Sequence, residues 1–138
     1  GLPNRRKLIA ALGEFSKVEG ALMLLDLDGF KQVNDRSGHR AGDQVLIQVA
    51  ARFARVLPDG ALLARLGGDE FGVLLAGSKI ATQEIAQALQ ACVSYPFLIE
   101  GEKISVGVSI GRVDSSEGGD LLAKADAAMY RVKRSINS

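Results

Sequence analysis

The chain has 138 residues, of which 47% are hydrophobic and 24% are charged, with a formal net charge of +1. That composition supports one folded domain with a buried core and excludes a disordered chain. The near-neutral charge argues against a nucleic-acid-binding protein, and no apolar run reaches the roughly 20 residues that cross a bilayer.

The first half of the chain is predicted to place helices around one buried strand. Asn4 can cap a helix that reaches about Ser16, because apolar residues recur there at helical spacing. The continuous apolar run of residues 21–27 predicts a central strand covered on one or both faces. A short helical turn over 29–33, a polar loop over 34–39 and an amphipathic helix over 41–56 follow.

The second half is predicted to contain paired strands and two further helices. Apolar runs at 61–65 and 71–76 flank two glycines, a pattern that predicts a tight hairpin. The remaining predicted elements are a helix over 78–93, strands over 97–99 and 103–108, a polar loop over 115–119 and a helix over 120–134. The order αβααββαββα indicates an α/β or α+β sheet with helices packed on it.

Two adjacent carboxylates, Asp69 and Glu70, lie at the tip of this hairpin. Their mutual repulsion costs free energy unless a cation or a substrate group relieves it, although a solvated acidic turn is the alternative interpretation. Asp26 ends the first strand, and it would converge with Asp69 if the two strands are neighbours. Two carboxylates and a backbone carbonyl suit Mg²⁺ or Mn²⁺. Asp28 is expected to point to the opposite face of the strand, where it would either support the metal ligands or have a structural role.

The stretch Asp28-Gly29-Phe30-Lys31 starts a helix and exposes successive backbone N–H groups. Such a turn can cradle phosphates, with Lys31 adding a positive charge. An ordinary strand-to-helix turn with a solvated lysine is the alternative.

Asn34 and Asp43 frame the predicted polar loop. An amide and a carboxylate together match the donors and acceptors of a guanine edge, although Asp43 equally suits a helix start. From the residues alone, His39 is interpreted as a structural loop histidine and Lys133 as a solvated charge near a helix end.

Several motifs occur in order along almost the whole chain, and together they strongly resemble the GGDEF domains, the diguanylate cyclases. The motifs are Gly1-Leu2-Pro3-Asn4-Arg5-Arg6, residues 26–35, Gly38-His39, Gly42-Asp43, Gly67-Gly68-Asp69-Glu70-Phe71, Ser109-Ile110-Gly111 and residues 125–130 with Lys133.

The resemblance implies an α+β fold, an adenylyl-cyclase-like, ferredoxin-type palm with a mainly antiparallel sheet flanked by helices. It implies condensation of two GTP into cyclic di-GMP, with two Mg²⁺ or Mn²⁺ ions per active site. The implied metal ligands are Asp26, Asp69 and the Leu27 carbonyl, and the implied catalytic residues are Asp69, Glu70 and Lys31. The implied substrate-binding residues are Asn34 and Asp43 for guanine, Lys31, Lys133, Gly29 and Phe30 for phosphates, and also Gly67, Gly68 and His39.

The chain departs from the family pattern in two places. Many members carry an inhibitory product site, Arg-x-x-Asp, whose equivalent positions here are Pro58 and Ala61. We therefore expect no feedback site, and tight product binding with micromolar inhibition would contradict this. The family's tail arginine is replaced by Asn137, which would weaken GTP binding unless Arg134 compensates.

Each domain of the family binds one GTP, so the resemblance implies that a second GGDEF domain faces the first in a homodimer. Residues 127–130 and 97–101 look most like domains from tandem proteins with an EAL phosphodiesterase domain. The alternatives are a silent GTP-binding module that regulates a neighbouring domain, and a scaffold that has lost nucleotide binding.

The expected setting is a single domain, residues 1–138, of a longer protein, because no initiator Met opens the chain. Its candidate neighbours are an upstream sensory domain and a downstream EAL domain. The lone Cys92 is expected in the core and favours a reducing compartment. We therefore expect a cytoplasmic domain without membrane contact.

Overall fold

The structure is a computed structural model that describes residues 2–137, with side chains through Ile136. Its α-helices are α1 (Arg5–Phe15), α2 (Phe30–Ser37), α3 (His39–Val56), α4 (Lys79–Cys92) and α5 (Leu121–Asn137), with a short 3₁₀ turn at Ser115–Glu117. Its strands are β1 (Gly20–Asp28), β2 (Leu62–Gly67), β3 (Glu70–Ala76), β4 (Phe97–Ile99), β5 (Glu102–Ile104) and β6 (Gly107–Asp114). Within residues 2–137, no helix is both long enough and apolar enough to cross a membrane.

The main sheet has four strands in the order β2-β3-β1-β6, and every neighbouring pair is antiparallel. This is the strand order of a ferredoxin-like β-α-β-β-α-β unit, with β4 and β5 forming a separate small hairpin. The predicted α+β class, the antiparallel sheet and the central position of the first apolar run are confirmed.

Two hydrophobic clusters cover the two faces of the sheet, which explains why β1 is apolar on both faces. One cluster joins β1 to α3 and α4 and includes Met23, Leu25, Val49, Phe53 and Leu89. Cys92 packs against this cluster, as expected, and burial raises the pKa of its thiol. The opposite cluster joins β1 to α1 and α5 and includes Leu8, Leu22, Leu24, Ala125 and Met129.

Helix α5 lies directly against β6, and this closeness fixes where its last turns end. A Cβ added to Gly111 would lie 2.3 Å from the backbone nitrogen of Met129 and 2.6 Å from the Ala125 carbonyl. Only glycine permits that approach. This close packing places the helical turn that carries Lys133 beside the end of β1.

Two predicted elements were wrong. Residues 34–37 are not a loop, because α2 continues through them and only Gly38, with φ +90°, separates α2 from α3. Their polarity reflects the solvent-facing side of a helix. The single strand predicted over 103–108 is two strands, since β5 ends at Ile104 and β6 begins at Gly107.

Arg52 fastens α3 to the loop that follows α4. Its guanidinium donates to the carbonyls of Cys92, Tyr95 and Pro96 at 2.9, 2.7 and 3.0 Å, and it lies 3.7 Å from the centre of the Phe97 ring. A planar fork of donors that also stacks on a ring is a geometry that lysine cannot reproduce.

Arg52→Ala is therefore expected to lower the free energy of unfolding by about 2–3 kcal/mol, since charge-assisted hydrogen bonds and ring stacking are lost together. Arg52→Lys should recover less than half of this loss. Urea unfolding measures both changes, with the exposed Arg55→Ala on the same helix as a control expected within about 0.5 kcal/mol of wild type. An Arg52→Ala protein as stable as this control would contradict the assignment.

Candidate functional site

The tip of the β2–β3 hairpin is bound to the end of β1. Asp26 pairs in register with Glu70, and the Leu27 backbone N–H donates to the Asp69 carbonyl at 3.1 Å. The antiparallel neighbours thus bring the acidic end of β1 beside the acidic turn. The structure places Asp26 and Asp69 together. The sequence predicted this on the condition that β1 and the hairpin are neighbours, which they are.

One carboxylate oxygen of Asp26 is left without a partner. Its Oδ1 is buried and has no hydrogen-bond partner among the described residues. Burial raises the pKa of Asp26, the nearby Asp69 carboxylate raises it further, and the Lys133 ammonium opposes both effects. A buried carboxylate oxygen without a partner is costly, so this position is suited to receive a cation.

Lys133 reaches back from α5 to this end of the sheet. Its Nζ lies 2.7 Å from Asp28 Oδ1 and 3.4 Å from Asp26 Oδ2. The expectation that Asp28 points away from Asp26 was wrong, because residues two apart on a strand share a face. Burial would lower the pKa of Lys133, but the hydrogen bond to Asp28 and the charges of Asp26 and Asp28 raise it overall.

Glu70 lies beside this pair and is held by the start of α1. Its Oε1 accepts from the Arg5 guanidinium at 3.2 Å. Burial raises the pKa of Glu70 against the opposing charge of Arg5, with Asp126 on α5 adding to the increase. The segment before α1 is also attached here, because the Arg65 N–H donates to the Pro3 carbonyl at 2.9 Å. The sequence analysis quoted Arg5 within a family motif but assigned it no role, because its partner is 65 residues away.

The start of α2 opens to solvent near the same edge. Gly29 precedes the helix with φ +84°, no side chain caps its first turn, and no atom lies within 4 Å of a Cβ built on Gly29. Phe30 is buried and anchors this turn, whereas Lys31 is exposed. Uncapped N–H groups at a helix start are suited to bind an anionic group.

A cleft of about 800 Å³ lies between α3 and the hairpin. Asp43 stands in its wall beside apolar side chains and Arg65. The lining residues that sequence reasoning missed are Leu2, Leu46, Ile47, Ala50, Arg65 and Phe71. The helical spacing of positions 43, 46, 47 and 50 is a signal that would have indicated part of this wall.

Asn34 lies against Gly42, the residue before Asp43, because α2 and α3 approach closely there. A Cβ on Gly42 would lie 1.9 Å from Asn34 Oδ1 and 3.2 Å from the Phe30 ring. The amide therefore occupies the space that glycine leaves open, one residue before Asp43.

The other predicted site residues lie around this region. His39 is exposed at the first position of α3, and Gly67 and Gly68 are exposed at the hairpin. Pro58 and Ala61 precede β2, and the side chain of Asn137 lies outside the described residues.

Within residues 2–137, no group of three or more His, Cys, Asp or Glu side chains could by itself hold a metal ion. Asp26 and Asp69 would need carbonyl, solvent or substrate oxygens to complete a site.

Comparison with known proteins agrees with this architecture. Residues 1–138 match the family described as "Diguanylate cyclase, GGDEF domain". The chain is 41% identical over 146 residues to diguanylate cyclase TpbB of Pseudomonas aeruginosa, with 96% of this chain and 34% of TpbB covered. It is 39% identical over 118 residues to the bifunctional diguanylate cyclase/cyclic di-GMP phosphodiesterase MucR of the same organism, with 82% of this chain and 17% of MucR covered.

The crystal structure of the GGDEF domain of TpbB superposes on this chain with a TM-score of 0.92 and 37% identity. That alignment covers 98% of this chain and 92% of the TpbB domain. The chain spans about a third or less of the curated relatives it matches.

Proposed function

Because the chain belongs to the GGDEF family of diguanylate cyclase domains, we propose that it condenses two GTP molecules into cyclic di-GMP. The observation that carries the proposal is the buried, unpartnered Oδ1 of Asp26 beside the Asp69 carboxylate. Two neighbouring carboxylates, one of them partly buried, repel each other, and a bound cation would remove this cost. Among the described residues, no hydrogen-bond partner satisfies Asp26 Oδ1.

The residues present fit a divalent-metal site for two Mg²⁺ or Mn²⁺ ions. Asp26, Asp69 and the Leu27 carbonyl supply hard oxygen ligands, and substrate phosphates and solvent complete the coordination. When bound, the two ions lower the pKa of the attacking ribose 3′-hydroxyl and neutralise the triphosphate for in-line attack on the α-phosphorus. Glu70 lies at this edge and assists on the side of the attacking hydroxyl.

The cleft beside Asp43 is proposed to take the guanine base. Asn34 and Asp43 would read its edge, while the apolar wall of α3 would cover its face. The open N–H groups at Gly29 and Phe30, with Lys31 and Lys133, would hold the phosphates. Gly67 and Gly68 leave room at the hairpin for the nucleotide, and His39 stands at the outer end of the site.

Gly42→Ala tests the base-reading assignment without replacing either of the two proposed base-binding residues. The added methyl group would collide with Asn34 Oδ1, so the amide must leave its present position against residue 42. We expect the KM for GTP to rise about tenfold or more with a smaller change in kcat, because ground-state base contacts are lost. Steady-state kinetics and a circular dichroism spectrum measure activity and fold.

Gly13→Ala is the matched control, since no atom lies within 4 Å of a Cβ added to this exposed helical glycine. An unchanged KM in a folded Gly42→Ala protein would sink the assignment of Asn34 to the base.

Two domains must face each other for the reaction, because one domain is proposed to bind one GTP. The active form is therefore a homodimer whose two clefts meet. Related GGDEF domains occur within larger proteins, some of them combined with phosphodiesterase activity, as the name of MucR states. We propose that this chain is likewise controlled by neighbouring sensory or EAL domains.

A silent GTP-binding regulatory module is the second candidate, and the replacement of the family's tail arginine by Asn137 favours it. Chromatography of products formed from GTP and Mg²⁺ over a range of protein concentrations separates the two. Cyclic di-GMP that forms faster than linearly with protein, and disappears in Asp69→Ala, supports the cyclase. GTP binding without product at any concentration supports the regulatory module.

A further inference from the structure

We propose that Lys133 is a resident cation of the metal site in the nucleotide-free protein, held there by Asp28 and Ser109, and that a divalent ion must displace its ammonium from Asp26. The inference rests on the proposed function, because it assumes that Asp26 is a metal ligand. It makes Asp28 and Ser109 positioning residues for Lys133.

The anchor of Lys133 is the half-buried Asp28 carboxylate, which Ser109 holds from the other side. The Ser109 hydroxyl lies 2.9 Å from both oxygens of Asp28 and donates to that carboxylate, and Ser109 is 0% exposed. Lys133 Nζ donates to Asp28 Oδ1 at 2.7 Å but lies 3.4 Å from Asp26 Oδ2. Asp28 is thus the tight partner of the ammonium and Asp26 the loose one.

The two oxygens of Asp26 are used unequally. Oδ2 faces the ammonium, whereas Oδ1 has no partner among the described residues. A divalent ion that binds Asp26 therefore meets a positive charge already placed at the same carboxylate. An ion on one oxygen of Asp26 and the Lys133 ammonium on the other would repel each other strongly, because the site is partly buried. The ion and the Lys133–Asp26 contact must compete.

The displaced ammonium would stay close to the site, bound to Asp28. Helix α5 packs closely onto β6 at Gly111, so the backbone that carries Lys133 stays beside the end of β1. Asp28, fixed by Ser109, retains the ammonium after Asp26 releases it. The side chain that pairs with Asp26 when no metal ion is bound then remains beside the nucleotide, where it supplies a positive charge for a phosphate oxygen.

Titration of the nucleotide-free protein with Mn²⁺ alone, followed by water-proton relaxation, tests the competition. Lys133→Met is expected to bind Mn²⁺ about tenfold or more tightly than wild type, because the competing cation is gone. Lys31→Met is the matched control, since it removes an exposed lysine from the same end of the sheet. It should tighten Mn²⁺ binding by less than about threefold, because solvent screens exposed charges. Equal effects of the two substitutions, or no Mn²⁺ binding by either wild type or Lys133→Met, would overturn the inference.

The anchoring role of Asp28 is tested by a double-mutant cycle. Asp28→Asn should weaken Mn²⁺ binding about tenfold, because the freed ammonium pairs with Asp26 alone. In the Lys133→Met background the same substitution should have less than a third of that effect. Purely additive changes would contradict an anchor, since simple loss of one negative charge acts equally in both backgrounds.

The melting temperature in EDTA gives a readout that is independent of turnover. Lys133→Met should melt lower than wild type in EDTA and gain more from added Mn²⁺. If wild type makes cyclic di-GMP but Lys133→Met behaves like Lys31→Met, the inference about Lys133 is wrong and the proposed function stands. If wild type makes no product and Asp69→Ala binds Mn²⁺ as wild type does, the proposed function fails instead.

Discussion

An Asp26→Asn protein is expected to form cyclic di-GMP at least about a thousandfold more slowly than wild type, yet to melt at a higher temperature in metal-free buffer. The amide preserves the shape of the side chain but removes the anionic oxygens proposed to bind metal, so transition-state stabilisation is lost. Stability should rise because burial and Asp69 disfavour the ionised form of Asp26 in the fold. Product chromatography and thermal melts in EDTA measure the two effects.

The pH dependence of this gain has a definite sign. The folded protein holds the pKa of Asp26 above the value in the unfolded chain, so ionised Asp26 costs stability at neutral pH. The cost disappears as pH falls through the folded pKa and then the unfolded one, because wild-type Asp26 then carries a proton too. The advantage of Asp26→Asn should therefore be largest near neutral pH and vanish in acid.

Asp35→Asn is the matched control, because Asp35 is an exposed carboxylate on α2 outside the proposed site. It should change neither turnover nor melting temperature measurably. Turnover of Asp26→Asn within tenfold of wild type would remove Asp26 from the metal site. A lower melting temperature at neutral pH would mean that its pair with Lys133 outweighs burial.

A parallel two-stranded coiled coil fused ahead of Leu2 is expected to raise specific activity at submicromolar protein by roughly a hundredfold. The proposed reaction needs two domains, and a short tether supplies an effective concentration of about a millimolar. Specific activity should then become independent of protein concentration, whereas the unfused chain should gain activity as it is concentrated.

The matched control is the same coil with lysine at its core positions, which keeps the helices apart. Its activity should equal that of the unfused chain. A fused dimer that binds GTP but forms no product would support the regulatory module, with Asn137 as the first position to change to arginine. If the rate of product formation by the unfused chain rises only linearly with its concentration, transient pairing is contradicted.

The parts of the fold that sequence predicted are those with local signals. The apolar run of β1 and the glycine pair of the hairpin each reveal their element without knowledge of the rest of the chain. The polar stretch 34–37 misled because a solvated helix face and a loop have similar composition. The break between β5 and β6 carries no proline, and nothing local marks it.

The candidate site was predictable only where its residues lie close in sequence or belong to a motif. Asp26 and Asp69 were paired by assuming that their strands are neighbours, which the sheet order confirms. The contacts that set their electrostatics join distant positions, as Lys133 and Asp28 show with a separation of 105 residues. Such pairs depend on how α5 is seated on β6, and no local pattern encodes that packing.

The attachment of the segment before α1 has a thermodynamic consequence. Leu2 lines the cleft, Pro3 is bonded to Arg65, and Arg5 is paired with Glu70, so three neighbouring positions are tied to the site. A nucleotide that orders Leu2 would also restrict the directions in which any preceding chain can leave the domain. By reciprocity, a structure that restricts those directions changes the affinity of the cleft by the same factor. Any restraint on these first residues and the proposed nucleotide occupancy of the cleft would therefore share one coupling free energy.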